Sequence, residues 1–284
     1  MHRRHALALA GGGLAALTIR QAARAISAIA QPIEIQSPMA LTQGGWLRAR
    51  AMPGQVKLDG IGLPVADDGL FFTAFDRDAP PRMVLRYEPG DGGVPFELPL
   101  TIAPRAWAIE HVDTPLRPPS AGPDASFMAR RKGELAQIKA ARARETGAQG
   151  WRQAMVRPAR GRFSGRFGSQ RVYQGQPGAY HSGLDIAGAA GTPYVAPASG
   201  TVVLAATAPF TLEGHLLLLD HGMGLCSAFL HAAQLLVAEG DSVQQGQPLG
   251  LIGQTGRATG PHLHWSLTWR GSRLDPQLFL APAG

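Results

Sequence analysis

Apolar runs in this chain are short and end at turn formers, and that punctuation restricts most of its length to strands and tight turns. Gln55–Leu58, Leu70–Phe75, Met83–Tyr87 and Phe96–Ile102 alternate apolar and polar residues, and Asp59-Gly60, Asp68-Gly69 and the stretch from Glu88 to Gly93 separate them. Such runs are too short for a globular helix but suit strands. With 36 Gly and 23 Pro among 284 residues, long helical patterns are scarce, which disfavours a helix bundle. A hydrophobic content of 45% still allows a packed core and excludes wholesale disorder.

The spacing predicts a mainly β chain in several parts. Six or seven strands between Ile33 and about Val112 suggest an N-terminal immunoglobulin-like β-sandwich over residues 31–118. No His, Asp, Glu or Cys cluster there has metal or catalytic spacing, so its expected role is spacing, docking or restricting access to a neighbouring groove. Thr114-Pro115-Leu116-Arg117-Pro118-Pro119 opens a stiff linker, residues 119–157. Within it one helix is expected from Asp124 to about Glu145, with Phe127, Leu135, Ile138 and Ala141 as a thin apolar stripe. Gly-rich β-sequence returns at Pro158 and marks a second domain, residues 158–284.

The net charge of +7 is unevenly distributed. Residues 127–171 carry 12 basic and 2 acidic side chains, whereas residues 31–126 carry 8 and 12, and residues 172–284 carry 3 and 6. No stacking aromatic motif or recognition helix accompanies the basic band, so a nucleic-acid partner is not expected. A solvated linker face, or weak attraction to an anionic wall polymer, fits better. Residues 1–30 read as an export signal: Met1-His2-Arg3-Arg4-His5 is positive, Ala6 to Ile19 is small and apolar, and Ala28-Ile29-Ala30 has the small-x-small cleavage pattern. That apolar run falls short of the roughly 20 residues that span a bilayer. Export to the periplasm or cell envelope without stable membrane insertion is therefore expected. Cys226, the only cysteine, sits in an apolar run and reads as an inert buried thiol.

Three elements of the second domain carry candidate chemistry. His181-Ser182-Gly183-Leu184-Asp185 places an imidazole and a carboxylate four residues apart. Gly183, Gly188 and Gly191 favour a strand and loop over a helix there. His262-Leu263-His264 opens a β-like run, and alternate strand residues share a face, so both imidazoles can address one point while Leu263 and Trp265 face a core. His231 ends the run Ala228-Phe229-Leu230. Imidazole nitrogen and carboxylate oxygen both suit zinc, and three protein ligands leave a position for water. Spacing alone does not say which of His262 and His264 holds the metal.

These stretches, with their surroundings, resemble the catalytic domain of lysostaphin-type (LytM-like) zinc peptidases, a family of bacterial wall endopeptidases. The resemblance includes Gly165-Arg166-Phe167-Gly168-Ser169-Gln170-Arg171, His181 to Ala187, Gly191-Thr192-Pro193, Ala196 to Val202, Leu219-Asp220-His221-Gly222, Gly240-Asp241-Ser242-Val243 with Gly246-Gln247, and Thr255-Gly256 with Thr259 to His264. It covers a little under half of the chain. It implies antiparallel β-sheets with a groove over one zinc ion, held by His181, Asp185 and His264, with His231 and His262 activating water and stabilising a tetrahedral oxyanion. It also implies peptidoglycan stem peptides as the partner. A position often Tyr in the family is Phe229 here. Asp220, His221 and His215 read as turn or surface residues. The competing readings are a non-catalytic wall-associated regulator that activates a separate amidase, and a closed zinc module with His231 as fourth ligand.

Overall fold

The structure, a computed structural model, describes residues 31–36, 41–114 and 124–281. The expected export signal and the Pro-rich start of the linker lie outside the described residues.

Eight strands form first: β1 (Ile33–Ile35), β2 (Trp46–Ala51), β3 (Gly54–Leu58), β4 (Ile61–Leu63), β5 (Leu70–Ala74), β6 (Arg82–Pro89), β7 (Phe96–Thr101) and β8 (Ile109–Val112). Seven of them make two antiparallel sheets, ordered β1-β2-β5 and β4-β3-β6-β7. Asp59 and Gly60 join β3 to β4 with φ of 45° and 82°, the two left-handed residues of a type I′ hairpin turn. Alternation in β2 sends Leu47, Ala49 and Ala51 inward, where they meet Phe71, Leu85 and Ile102. β8 joins neither of these sheets and pairs in parallel with a strand of the second half, described below.

Helix α1 (Ala125–Arg142) follows, capped by the Asp124 carboxylate, which accepts the Phe127 N–H at 2.6 Å. Ile138 and Ala141 point inward as expected, but Leu135 is 49% exposed and Glu134 turns inward beside them. The reason is polar: the Glu134 carboxylate accepts from both the N–H and the hydroxyl of Thr211, each at 2.6 Å. Four arginines of the basic band reach carboxylates outside it, in the pairs Arg131–Glu213, Arg144–Glu239, Arg152–Asp68 and Arg171–Glu110. The band therefore ties the middle of the chain to both flanking parts.

The second half contains β9 (Phe163–Gly165), β10 (Gln170–Tyr173), β11 (Gln176–Pro177), β12 (Leu184–Ala187), β13 (Pro193–Val195), β14 (Gly200–Ala205), β15 (His215–Gly222), β16 (Leu225–Ala232), β17 (Gln234–Leu235), β18 (Ser242–Val243), β19 (Pro248–Leu251), β20 (His262–Trp269) and β21 (Ser272–Leu274). The central sheet runs β18-β14-β15-β16-β20-β12-β9, with β21 paired to β20. Two smaller sheets, β13-β19-β17 and β11-β10-β8, flank it. One face of the central sheet sends Leu184, Ile186, Phe229, Leu263, Trp265 and Leu267 into the main core. That core continues into the N-terminal sheets, where Trp46 and Phe72 lie 5.5 and 6.4 Å from Phe279 by ring centroid. Part of the other face, including Val203, Leu216, Leu218, Cys226 and Ala228, is covered by Ile138 and Ala141 of α1. Among the described residues no helix is long and apolar enough to cross a membrane.

Candidate metal-dependent active site

Strand pairing, more than local sequence, builds the site. The antiparallel register of β12 and β20 sets Asp185 opposite His264 and Ala187 opposite His262. Residues directly opposite share a face, so the period of two places Asp185, His262 and His264 together. His181 arrives from the loop before β12, anchored by its backbone N–H to the Ser169 carbonyl at 2.8 Å. Its Nδ1–H donates to the Arg166 carbonyl at 3.1 Å, which turns Nε2 toward the strands.

His181 Nε2 then lies 3.0 Å from Asp185 Oδ1 and 3.2 Å from His264 Nδ1, and His264 Nδ1 lies 2.8 Å from the same oxygen. With its Nδ1 donating elsewhere, the His181 Nε2 of a neutral ring offers only a lone pair, and it faces two other acceptors. One proton serves one such pair at a time, whereas a divalent ion serves all three. A tetrahedral ion with bonds of about 2.0–2.1 Å requires ligand atoms about 3.3 Å apart, close to the separations seen. The donor set of two imidazoles and one carboxylate thus fits zinc. Glycine makes the room. A Cβ on Gly165 would strike the Asp185 carboxylate, and one on Gly183 would meet His264 Nε2 at 2.7 Å.

Electrostatics follow from the packing. Burial works to raise Asp185, but the adjoining imidazoles of His181 and His264 outweigh it and hold the carboxyl well below its usual range. Burial lowers His264 despite its carboxylate partner. In His181 burial also opposes the charged ring, yet Asp185 carries the balance upward.

His231 and His262 stand beside this triangle, with ring centroids 5.0 Å apart. His262 Nδ1–H donates to the Gly260 carbonyl and His231 Nδ1–H to the Thr255 carbonyl, both at 2.8 Å. Each Nε2 is left as the free, acceptor nitrogen, and that of His262 lies 3.7 Å from Asp185 Oδ1. Burial lowers His231, which favours its neutral form. His231 reaches this face by a local departure from β-geometry. Strict alternation after Phe229 would send it into the main core, but its φ of 65° breaks the alternation. A left-handed conformation in a non-glycine residue costs about 1–3 kcal/mol and is concentrated at functional sites.

All five histidine and aspartate positions singled out in the sequence therefore meet on one face: His181, Asp185 and His264 as a triangle, His231 and His262 at its edge. The carbonyls of Arg166, Gly260 and Thr255 that fix the tautomers carry no sequence signal. Asp220 and His221 are not surface residues; β15 buries both. His221 Nδ1–H donates to the Ser199 carbonyl at 2.9 Å, and its Nε2 accepts from the Ser227 hydroxyl at 2.7 Å. Ser227 in turn accepts from Trp265 Nε1–H at 3.2 Å, so the chain of bonds braces β20 from behind. His215 is half-buried, its Nδ1 at 3.2 Å from the Ala206 carbonyl. Phe229 packs on the core side, stacked 5.5 Å from Tyr194, and takes no part in the site. Cys226 is buried and its thiol is pushed up to about 12 by desolvation, as an inert thiol should be.

An open groove of about 810 Å³ runs past His181 and Asp185. Its walls include Arg171, Tyr173, Tyr180 and Arg257, and also Ala108–Glu110 at the start of β8. The N-terminal part of the chain thus supplies one wall of the groove.

The second half of the chain is similar to known proteins. Residues 179–276 match Peptidase family M23. The peptidoglycan DD-endopeptidase ShyA of Vibrio cholerae is 41% identical over 91 residues, which are 32% of this chain and 21% of that protein. The lipoprotein NlpD/LppB homolog of Pseudomonas aeruginosa is 36% identical over 123 residues, 43% of this chain and 38% of that one. The chain therefore spans well under half the length of these curated relatives. A crystal structure of a Pseudomonas aeruginosa protein assigned to peptidase M23 superimposes with a TM-score of 0.63 at 28% identity, covering 84% of this chain and 94% of that one.

Proposed function

We propose that the chain, whose residues 179–276 match Peptidase family M23, is a zinc-dependent endopeptidase that hydrolyses peptide cross-links of peptidoglycan in the cell envelope. The observation that carries this reading is the convergence of His181 Nε2, Asp185 Oδ1 and His264 Nδ1 beside two imidazoles whose Nε2 atoms are free. His181, Asp185 and His264 would hold the ion. Bound there, zinc supplies Lewis-acid chemistry: it polarises a peptide carbonyl and brings the pKa of water down to about 7.

The remaining work falls to the two edge histidines. A neutral imidazole with Nδ1–H fixed to a backbone carbonyl can accept a proton only at Nε2, so His262 and His231 are set to take one from an attacking water. Once protonated, the same Nε2–H can donate to a developing oxyanion or to the leaving amine.

Relatives named as DD-endopeptidases support cleavage at a D-amino acid–diaminopimelate cross-link over a glycine bridge. The alternative, a regulator that activates a separate amidase, requires no intact donor set. Retention of all five side chains in one cluster favours the enzyme. Mass spectrometry of fragments released from purified sacculi tests the choice. Cleaved cross-links that disappear with chelator and return with zinc are expected. Intact sacculi, together with stimulation of an added amidase, would reverse the assignment.

A further inference from the structure

The histidine pair begins a longer polar stripe. Counting by two along β20, His262, His264, Ser266 and Thr268 share the face that carries the site, successive members about 6.6–6.8 Å apart. Ser266 and Thr268 are largely buried residues whose hydroxyls, without a protein partner among the described residues, face open space rather than packed core. They line a cavity of about 180 Å³ that starts at His264 and extends beneath α1. That volume is about six times the liquid share of one water, the size of a single side chain.

Its charge is one-sided. Arg131 and Glu213 reach the cavity already paired with each other, at 2.6 Å. Arg142, in the last turn of α1, and Arg273, on β21 directly opposite Thr268, also line it. Neither forms an ion pair with a carboxylate among the described residues; Arg273 meets Asp76 through its backbone N–H, at 2.7 Å. The Arg273 guanidinium lies over the Tyr180 ring at 5.3 Å, at the edge of the main groove. Two guanidiniums that have no carboxylate partner among the described residues line the same cavity as two hydroxyls, and guanidinium binds a carboxylate in bidentate fashion, so the cavity suits a carboxylate.

We propose that Arg142, Arg273, Ser266 and Thr268 form a subsite that binds a carboxylate-bearing residue of the substrate peptide. This rests on the endopeptidase reading and names the substrate chemistry that the same face selects. An extended peptide advances about 3.3 Å per residue, so a pocket roughly 7–13 Å from His264 receives a side chain two to four residues from the bond that is cut. Removing one charge-assisted contact of this kind weakens binding by roughly tenfold or more.

The test measures binding apart from hydrolysis. A fluorescently labelled stem peptide, with its carboxylates free or converted to carboxamides, is titrated into the metal-free full chain and followed by anisotropy. The wild type is expected to bind the free acid about tenfold more tightly than the amide. Arg142→Gln and Arg273→Gln should each weaken the free acid about tenfold and narrow that preference, while Arg142→Lys and Arg273→Lys should retain much of it. Equal binding of acid and amide by the wild type, binding of neither, or an undiminished preference in the double Gln variant would overturn the subsite. Tight binding of the acid without cleavage of sacculi would leave the subsite standing and remove the endopeptidase reading.

Discussion

Strand β20 presents two opposite surfaces, and the molecule treats them differently. On one, Leu263, Trp265 and Leu267 are fully buried in a core that extends into the N-terminal sheets. On the other, His262, His264, Ser266 and Thr268 form a polar stripe, with Asp185 across from His264. The period of two lets one short segment hold the chemistry and anchor it. The apolar side fixes the backbone so that the polar side can keep its imidazoles a few ångströms apart without collapsing. The comparison teaches that damage on the two surfaces should have different signatures: loss of chemistry with the fold retained, and loss of the fold with chemistry as a casualty.

The largest expected effect is on the polar side. Asp185→Ala should reduce zinc affinity by more than about 100-fold, beyond the loss that follows from disturbing a ligand's own partners, and abolish release of fragments from sacculi. Its metal-free unfolding temperature should stay within a few degrees of the metal-free wild type. Zinc content by atomic absorption and thermal unfolding, measured together, check both halves; full activity in this variant would remove Asp185 from the site. Next comes His262→Ala, expected to keep about one zinc per chain while losing 10²–10⁴-fold in kcat, roughly the contribution of a positioned proton acceptor. Loss of zinc in that variant would merge the two roles.

On the apolar side, Trp265→Ala should cost about 3–5 kcal/mol of stability in denaturant titration, because it empties a fully buried site and removes the donor to the Ser227 oxygen. Zinc affinity measured below its unfolding temperature should change little. A variant that unfolds normally but binds no zinc would show that the surfaces are not separable. The smallest effect concerns His221, which burial holds below the usual histidine range. Its folded form is neutral, so its contribution to stability is complete above the unfolded value of about 6.5 and falls as pH drops below it. His221→Gln should flatten the slope of stability against pH between about 6.5 and 5; parallel curves would exclude His221 as its source.

Legibility in the sequence followed periodicity. The shared face of His262 and His264, the strand through Asp185 and the hairpin at Asp59-Gly60 could be read because each depends on neighbours one to four residues away. His231 could be placed by family resemblance alone: alternation sends it to the wrong surface, and only its left-handed backbone brings it to the site. Glu134 displaced Leu135 from the inner side of α1 because a distant Thr211 offers two donors. His221 and Asp220 read locally as turn or surface residues, but β15 carries them through the interior, with Ser199, Ser227 and Thr146 as partners. Parallel pairing of β8 with β10 joins residues about sixty positions apart, beyond the reach of any local pattern. What the sequence hid was tertiary satisfaction of polar groups, which no local window contains.

Gly165 and Gly183 press against Asp185 and His264 from neighbouring segments, where even a methyl group has no space. The centre is consequently vulnerable at two addresses that bear no functional group. On the proposed function, an alanine at either is expected to push Asp185 or His264 out of place and weaken metal binding while all five candidate side chains remain present in the sequence.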